Sequence, residues 1–314
     1  MNRTELRKIG GSDIAAILGK SQWKSAHSLY LHLVGELTPQ ADNDAMERGR
    51  KLEPVVAAMF EANHPEFKVA TFGTVSDSDY PFLIGNPDRL LFERTGNGAS
   101  GLEIKTADIS TIGRWGEEET DEVPVEYWIQ CQWYAGLCKV DDWHLAVGFV
   151  KPGSRKIVAY REYYIEFDPA WFADAKQKAI DFWNDHVIAQ VAPDITVADC
   201  ATVEYYKHRY PQHSQDKWAY SNETIDHLAS EYIELVGIIK QREQEAETAK
   251  VKLIAAIGEN EGIKTAFGNF TYRTTKPSKK TDWQGCARSL GATDETIENF
   301  TIENPGHRRF LIPK

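Results

Sequence analysis

The chain has 314 residues, of which 42% are hydrophobic and 26% are charged, so it has the composition of a globular protein and not of a disordered or collagen-like one. Its formal net charge is -11, with 47 Asp and Glu against 36 Lys and Arg, which argues against a basic protein that coats DNA. Residues 200–314 hold 16 residues of each sign, so the whole excess lies in the first 199 residues and indicates a change of role near residue 200.

The first two hundred residues alternate between helical and strand periods. Helices are predicted first, at about residues 12–19, 26–34 and 44–63. Strands follow at 68–74, 82–92 and 101–106, then a helix at 125–137, a β-hairpin at 143–150 and 156–167, and a helix at 169–188. Strands flanked by helices on both sides predict an α/β domain over residues 1–200.

The remainder, residues 201–314, is predicted to be a C-terminal extension. Residues 189–221 are interpreted as an irregular connection. Ser221 or Asn222 is expected to cap a long helix over about 222–257, which Gly258 ends. A hairpin at 266–275 and short helices at 282–290 and 294–300 complete a small α+β segment.

No run of eighteen apolar residues occurs, and the first eight residues are not followed by the apolar stretch of a signal peptide. The four cysteines are scattered, without a C-x-x-C pair, which argues against a zinc or iron–sulfur site. We therefore expect no membrane partner and a cytoplasmic location.

The residues that indicate chemistry are Pro87-Asp88 and, further on, Glu103-Ile104-Lys105. Alternate side chains of a strand share a face, so Glu103 and Lys105 should point one way, and a turn between the two strands would bring Asp88 beside Glu103. Two carboxylates and an ammonium on adjacent strands suit a Mg²⁺ or Mn²⁺ site at which a phosphate is attacked. Taken alone, Glu-x-Lys is more often a surface ion pair.

Three further blocks accompany this pair. A glycine pair precedes Ser12 at a predicted helix start, where backbone N–H groups favour an anion. The stretch from Arg48 to Pro54 places Glu53 beside Pro54, where a helix start or a kink is expected. Gln130 and Gln132 lie on a helix, where an amide could bond a phosphate. Each block also has an ordinary reading as a helix cap, a solvated charge run or a surface amide.

In this order, the blocks G-G-S-D-I-A, R-G-x-x-x-E-P, P-D-R, E-I-K and Q-x-Q-W-Y resemble the phage lambda exonuclease and YqaJ-type recombinase nuclease family, over about residues 9–150. The resemblance implies a restriction-endonuclease-like, PD-(D/E)XK core with a mixed central sheet flanked by helices. It implies digestion of linear double-stranded DNA from the 5′ end to 5′-mononucleotides, which leaves a 3′ single strand. It also implies a bacterial, phage or prophage source, a ring-shaped homotrimer and a single-strand annealing protein as partner.

The same resemblance assigns the site residues. Two Mg²⁺ ions, or Mn²⁺, would be held by the ligand set Glu53, Asp88, Glu103 and the backbone carbonyl of Ile104. Lys105 would orient the attacking water. Gln130, Ser12 and Asn86 would lie near the phosphate. Relatives have an arginine seven residues before the serine as a clamp on the 5′-phosphate; here that position is Glu5, and of the neighbouring Arg3 and Arg7 we choose Arg7.

Two alternatives stay open at this point. One is another nuclease of the same superfamily, a site-specific endonuclease or a RecB-like enzyme. The other is a catalytically inactive module that binds DNA ends or proteins, which the presence of Asp88, Glu103 and Lys105 disfavours.

Overall fold

The computed structural model describes residues 7–37, 44–96, 98–278 and 280–302, so Arg3 and Glu5 lie outside the described residues. The chain divides into two compact units, Met1–Arg209 and Tyr210–Lys314. No helix of the described residues is long and apolar enough to cross a membrane.

The first unit contains six α-helices within its described residues: α1 (Gly11–Ile17), α2 (Ala26–Leu33), α3 (Asp44–Asn63), α4 (Val125–Cys138), α5 (Pro169–Phe182) and α6 (Cys200–Arg209). A 3-10 helix, Ile109–Arg114, follows the central strand, and α5 continues as a short π-helix, Trp183–Ile188. Helix α3 runs without a break through Pro54, so the expectation of a helix start at this proline is wrong.

The strands of this unit are β1 (Phe67–Ala70), β2 (Val75–Ser76), β3 (Ile84–Gly85), β4 (Arg89–Glu93), β5 (Ala99–Asp108), β6 (Asp142–Val150) and β7 (Ile157–Glu166). Five of them form one sheet in the order β1-β4-β5-β6-β7, and β2 pairs with β3 separately. All neighbours in the large sheet are antiparallel except β5 and β6, whose parallel pairing requires a crossover that α4 supplies. The expected α/β fold, with a mixed central sheet between helices, is confirmed.

The two faces of the sheet are covered by different helices. On one face, α3 packs Val56, Ala57 and Phe60 against Leu102 and Ile104 of β5. On the other, α1, α2, α4 and α5 enclose the larger hydrophobic core, with the buried Trp133 and Trp143 among its side chains. Because strand residues alternate, Glu103 faces away from the layer that holds Leu102 and Ile104, as the sequence predicts.

The prediction of an irregular connection over 189–221 is wrong at α6. Asp199 accepts hydrogen bonds from the backbone N–H of Thr202 at 2.7 Å and of Ser25 at 2.6 Å, and from Ser28 Oγ at 2.5 Å. One carboxylate thus caps α6 and fixes it to α2, and this contact across the chain is not visible in the local sequence pattern.

Helix α1 begins one residue before the predicted position, with Gly10 at its N-cap, so Ser12 and Asp13 lie within its first turn. Asp13 accepts a hydrogen bond from the Gly10 N–H at 2.9 Å and pairs with Lys24 at 2.7 Å. Ser12 is left exposed in the first turn of the helix.

The second unit contains α7 (Glu223–Ile257), a hairpin of β8 (Gly262–Thr265) and β9 (Gly268–Thr271), α8 (Trp283–Ser289) and α9 (Asp294–Glu298). Asn222 caps α7 by accepting from the Ile225 N–H at 3.0 Å, and Gly258 follows the helix with a positive φ of 57°, as expected. The hairpin begins four residues before the predicted position. Ile257 is the single buried hydrophobic residue among the described residues of this unit.

Candidate active site

Asp88 and Glu103 are brought together by the antiparallel pairing of β4 and β5. Arg89 is opposite Leu102 in the register, so Asp88, one residue earlier, stands beside the backbone of Glu103 and Ile104. The Oδ2 atom of Asp88 accepts a hydrogen bond from the Ile104 N–H at 2.8 Å. Lys105 Nζ donates to Glu103 Oε1 at 2.5 Å, so these two side chains share a face of β5.

An open cavity of about 410 Å³ contains these groups. Its lining includes six of the side chains that the sequence assigns to the site, Glu53, Asn86, Asp88, Glu103, Lys105 and Gln130, together with Ile104. Residues that are separated by up to 77 positions in the sequence therefore meet at one place, where α3, α4, β4 and β5 come together.

Glu103 is a buried carboxylate with an incomplete set of partners. Glu103 is 2% exposed, and its Oε2 atom has no hydrogen-bond partner among the described residues. Burial raises the pKa of Glu103 because the ionised form loses its hydration, although Lys105 opposes this shift. The site thus has one buried oxygen that is ready to accept a cation or a hydrogen-bond donor.

The charges around Glu103 are strongly coupled. Burial also raises the pKa of Asp88, against the attraction of Lys105. Burial disfavours the charged form of Lys105, but the carboxylates of Glu103 and Asp88 outweigh that effect and raise its pKa, so the ammonium stays protonated. The Lys105 ammonium also lies 5.2 Å from the ring centroid of Tyr127.

Glu53, on α3, is paired with Arg89. The Nη1 atom of Arg89 lies 3.0 Å from Glu53 Oε1 and 2.5 Å from the carbonyl oxygen of Asp88, to both of which it donates. The P-D-R block includes this arginine, but its role as the partner of Glu53 depends on the packing of α3 against the sheet and has no local signal.

The donor set fits a hard divalent cation, because its side chains and the Ile104 carbonyl offer oxygen atoms and Glu103 Oε2 has no partner. As placed, the described residues contain no group of three or more His, Cys, Asp or Glu side chains close enough to hold a metal ion. Arg89 and Lys105 instead pair with Glu53 and Glu103, so cationic side chains balance the carboxylates in this structure.

Gln130 and Asn86 present amides to the cavity. Gln130 Nε2 donates to the hydroxyl of Tyr134 at 2.9 Å, one helical turn along α4. The Oδ1 atom of Asn86 accepts from Thr74 Oγ1 at 2.6 Å, so its NH₂ group is the part that is left to donate. The four-residue spacing of Gln130 and Tyr134 was the sequence signal for this pair, although Tyr134 was not among the predicted site residues.

Ser12 and Arg7 are not among the residues that line this cavity. The Nη1 atom of Arg7 donates to His32 Nδ1 at 2.7 Å. Burial and the neighbouring Arg7 charge lower the pKa of His32, which keeps the ring neutral and able to accept. Their roles toward a 5′-phosphate stay predictions.

Comparison of the sequence with a family model and with a known protein points to the same family. Residues 3–140 match the model of a family described as YqaJ-like viral recombinase domain. The chain is 30% identical over 259 residues to the uncharacterized protein YqaJ of Bacillus subtilis (strain 168), which covers 77% of each chain.

Two solved structures are also similar. One is an alkaline exonuclease from Laribacter hongkongensis, 21% identical over 66% of this chain and 94% of that chain, with a TM-score of 0.46. The other is a phage related exonuclease from Haemophilus somnus 129PT, 15% identical over 60% of this chain and 99% of that chain, with a TM-score of 0.47.

Proposed function

Because the chain belongs to the family of YqaJ-like viral recombinase domains, we propose that it is a nuclease that digests linear double-stranded DNA from the 5′ end. The products are 5′-mononucleotides and a 3′ single strand, which serves homologous recombination by single-strand annealing. The observation that carries the proposal is the meeting of Asp88, Glu103 and Lys105 in one cavity, with a buried carboxylate oxygen that has no partner among the described residues.

The proposed cofactor is Mg²⁺, or Mn²⁺, with two ions in each site. The carboxylates of Glu53, Asp88 and Glu103 and the carbonyl of Ile104 would hold them. When bound, the ions would neutralise the scissile phosphate, lower the pKa of the attacking water and stabilise the leaving 3′ oxygen. The burial that raises the pKa values of Asp88 and Glu103 supports this assignment, since a bound cation would stabilise their ionised forms.

The side chains of the chain itself have separate tasks in the proposal. Lys105, which carries a full positive charge, donates to the attacking water and to the oxygen on which negative charge develops. Gln130 and Asn86 position the phosphate by hydrogen bonds from their amides. Arg89 holds Glu53 in place by its 3.0 Å ion pair. Ser12 and Arg7 contact the DNA end.

Digestion of three duplexes tests the proposal. The protein is incubated with Mg²⁺ and linear DNA with 5′-phosphates, linear DNA with 5′-hydroxyls, or closed circular DNA. We expect rapid loss of the phosphorylated linear duplex and survival of the circle. Cutting of the circle would identify an endonuclease instead, and binding of ends without any cutting would identify an inactive end-binding module.

The proposal includes a ring of three copies around the DNA and a single-strand annealing protein as partner. An acidic protein suits this arrangement, because only the channel lining needs positive charge and the remaining carboxylates can face outward. Light scattering should give a mass that is a multiple of three chains, and a mass that is not would contradict the ring.

A further inference from the structure

Helix α7 carries a seven-residue repeat along one side, with intervals of three and four residues. The first half of the repeat has large apolar side chains: Ile225, Leu228, Tyr232, Leu235 and Ile239. After Arg242, the second half has mostly small ones: Ala246, Ala249, Leu253 and Ala256. We call these ten residues the α7 seam. A mean spacing of 3.5 residues keeps a seam in line only when the helix supercoils with another helix.

The α7 seam is not buried within its own unit. Leu228 is 59% exposed and Ile239 is 57% exposed, whereas the apolar stripe of a helix in a folded protein normally faces a core. Helix α7 has 35 residues, so it is roughly 50 Å long. Among the other described helices the longest is α3, with 20 residues, and its apolar side is already packed on the sheet. A partner of matching length from this chain is therefore α7 of a second copy.

The two halves of the seam complement each other in size. In an antiparallel pair that overlaps along the whole helix, Ile225 faces Ala256 of the other copy, Tyr232 faces Ala249, and Leu235 faces Ala246. Three of the five layers then combine a large side chain with an alanine, which fills a helix interface evenly, whereas Leu228 faces Leu253 and Ile239 faces Arg242. A parallel pair would instead place large residues on large ones and alanines on alanines.

The charges favour the same arrangement. In this antiparallel register, Glu231 of one copy lies beside Lys252 of the other at the flanking positions where coiled coils form ion pairs between helices. Arg242 faces Ile239 and its guanidinium can extend to solvent beside the seam. In a parallel pair the two Arg242 side chains would share one layer, whereas in the antiparallel register they lie three residues, about 4.5 Å, apart along the helix axis.

From this self-complementarity in size and charge we infer that the protein pairs with a second copy of itself through an antiparallel coiled coil of two α7 helices. The pairing is a property of the second unit and is separate from the nuclease site. If the copies also form rings of three, the pairing joins two rings.

Light scattering of the full-length protein tests the pairing. The variant Leu228→Glu with Leu235→Glu places charges in the seam, and the matched control Ile233→Glu with Val251→Glu places them at equally exposed positions off the seam. We expect an even number of chains for the wild type and the control, and half that number for the seam variant. A single-chain wild type, or a seam variant of unchanged mass, overturns the inference, and the latter would point to a seam that another part of the same chain covers.

Thiol cross-linking tests the orientation without disturbing the fold. Cys200 and Cys286, the exposed cysteines among the described residues, are replaced by serine. Leu235→Cys and Ala246→Cys are then introduced singly and together, and the protein is treated with a short bis-maleimide. In the antiparallel pair only the double variant should give covalent dimers, because the two copies of Leu235 lie about 16 Å apart. Dimers of the single variants, or none at all, would overturn the proposal.

Discussion

Lys105 is the side chain to which we assign the donation of a hydrogen bond to the reacting phosphate. We predict that Lys105→Ala abolishes Mg²⁺-dependent cleavage, by at least about a hundredfold, because one preorganised donor to a developing negative charge is worth that much. The fold should persist, since Lys105 lies at the cavity and outside both hydrophobic clusters. Digestion of phosphorylated linear DNA and circular dichroism give the two readouts.

The control for this variant is Lys178→Ala, which removes an exposed lysine paired with Asp174 on α5. Its activity should equal that of the wild type. Substantial cleavage by the Lys105→Ala protein would show that this ammonium does not act on the reacting phosphate.

Asp199 stabilises the contact between α6 and α2, and its contribution to the free energy of unfolding should depend on pH. Its desolvation is outweighed by hydrogen bonds from Ser28, Thr202 and Ser25, which lower its pKa from the ordinary 3.8 to about 2. A lowered folded-state pKa adds stability above the unfolded-state pKa, and that stability is lost as the pH falls through the folded-state pKa. We predict that Asp199→Asn reduces the free energy of unfolding by about 2 kcal/mol at pH 7 and by about half as much at pH 3.

Urea unfolding of the wild type and the variant at the two pH values measures this difference. Asp174→Asn, at an exposed ion pair, serves as the control and should change the free energy by less than about 0.5 kcal/mol at either pH. A difference for Asp199→Asn that does not shrink at pH 3 would contradict the assigned pKa.

At the scale of elements, α1 and α4 approach each other so closely that only glycine fits at their contact. A Cβ atom on Gly11 would lie 2.4 Å from Cε1 of Tyr134, whose hydroxyl accepts from Gln130. We predict that Gly11→Ala lowers the free energy of unfolding by about 1–3 kcal/mol through overpacking. Cleavage should also slow, since the displaced ring carries Gln130 with it.

Thermal unfolding and digestion rates measure the two effects. Gly113→Ala is the matched control, because a Cβ at Gly113 meets nothing within 4 Å. If Gly11→Ala behaved like this control in both assays, the close packing of α1 on α4 would have no influence on the site.

The elements also show which parts of the fold can be predicted from the sequence. Helix α7 was predicted within one residue because its caps and length are local signals, and the face shared by Glu103 and Lys105 followed from strand alternation. Helix α6 was missed because its cap, Asp199, is held by α2, more than 170 residues away in the chain. The Arg89–Glu53 ion pair is absent from the sequence prediction for the same reason, since it depends on how α3 packs against the sheet. Contacts of this kind are set by tertiary structure, which a local pattern does not encode.

At the scale of the whole molecule, the two units differ in what holds them together. Both hydrophobic clusters lie within the first unit, and so does the candidate site. We predict that a chain ending at Arg209 folds cooperatively and cleaves linear DNA at a rate within a few-fold of the full-length protein. Calorimetry and the digestion assay measure this, and an unfolded or inactive fragment would show that the second unit is needed to complete the first.

The parallel pairing of β5 with β6 also determines when the central sheet of a nascent chain can be completed. Glu103 lies opposite Leu145 in that pairing, so the strand that encloses one side of β5 is translated about forty residues later. A parallel neighbour is reached only through a crossover, and the intervening segment must fold back before the ladder can close. The stretch that matches the family ends at residue 140, before β6 begins at Asp142. A chain that has left the ribosome only to the end of that stretch therefore lacks β6, and the strand that carries Glu103 gains its parallel neighbour only after the whole crossover has emerged.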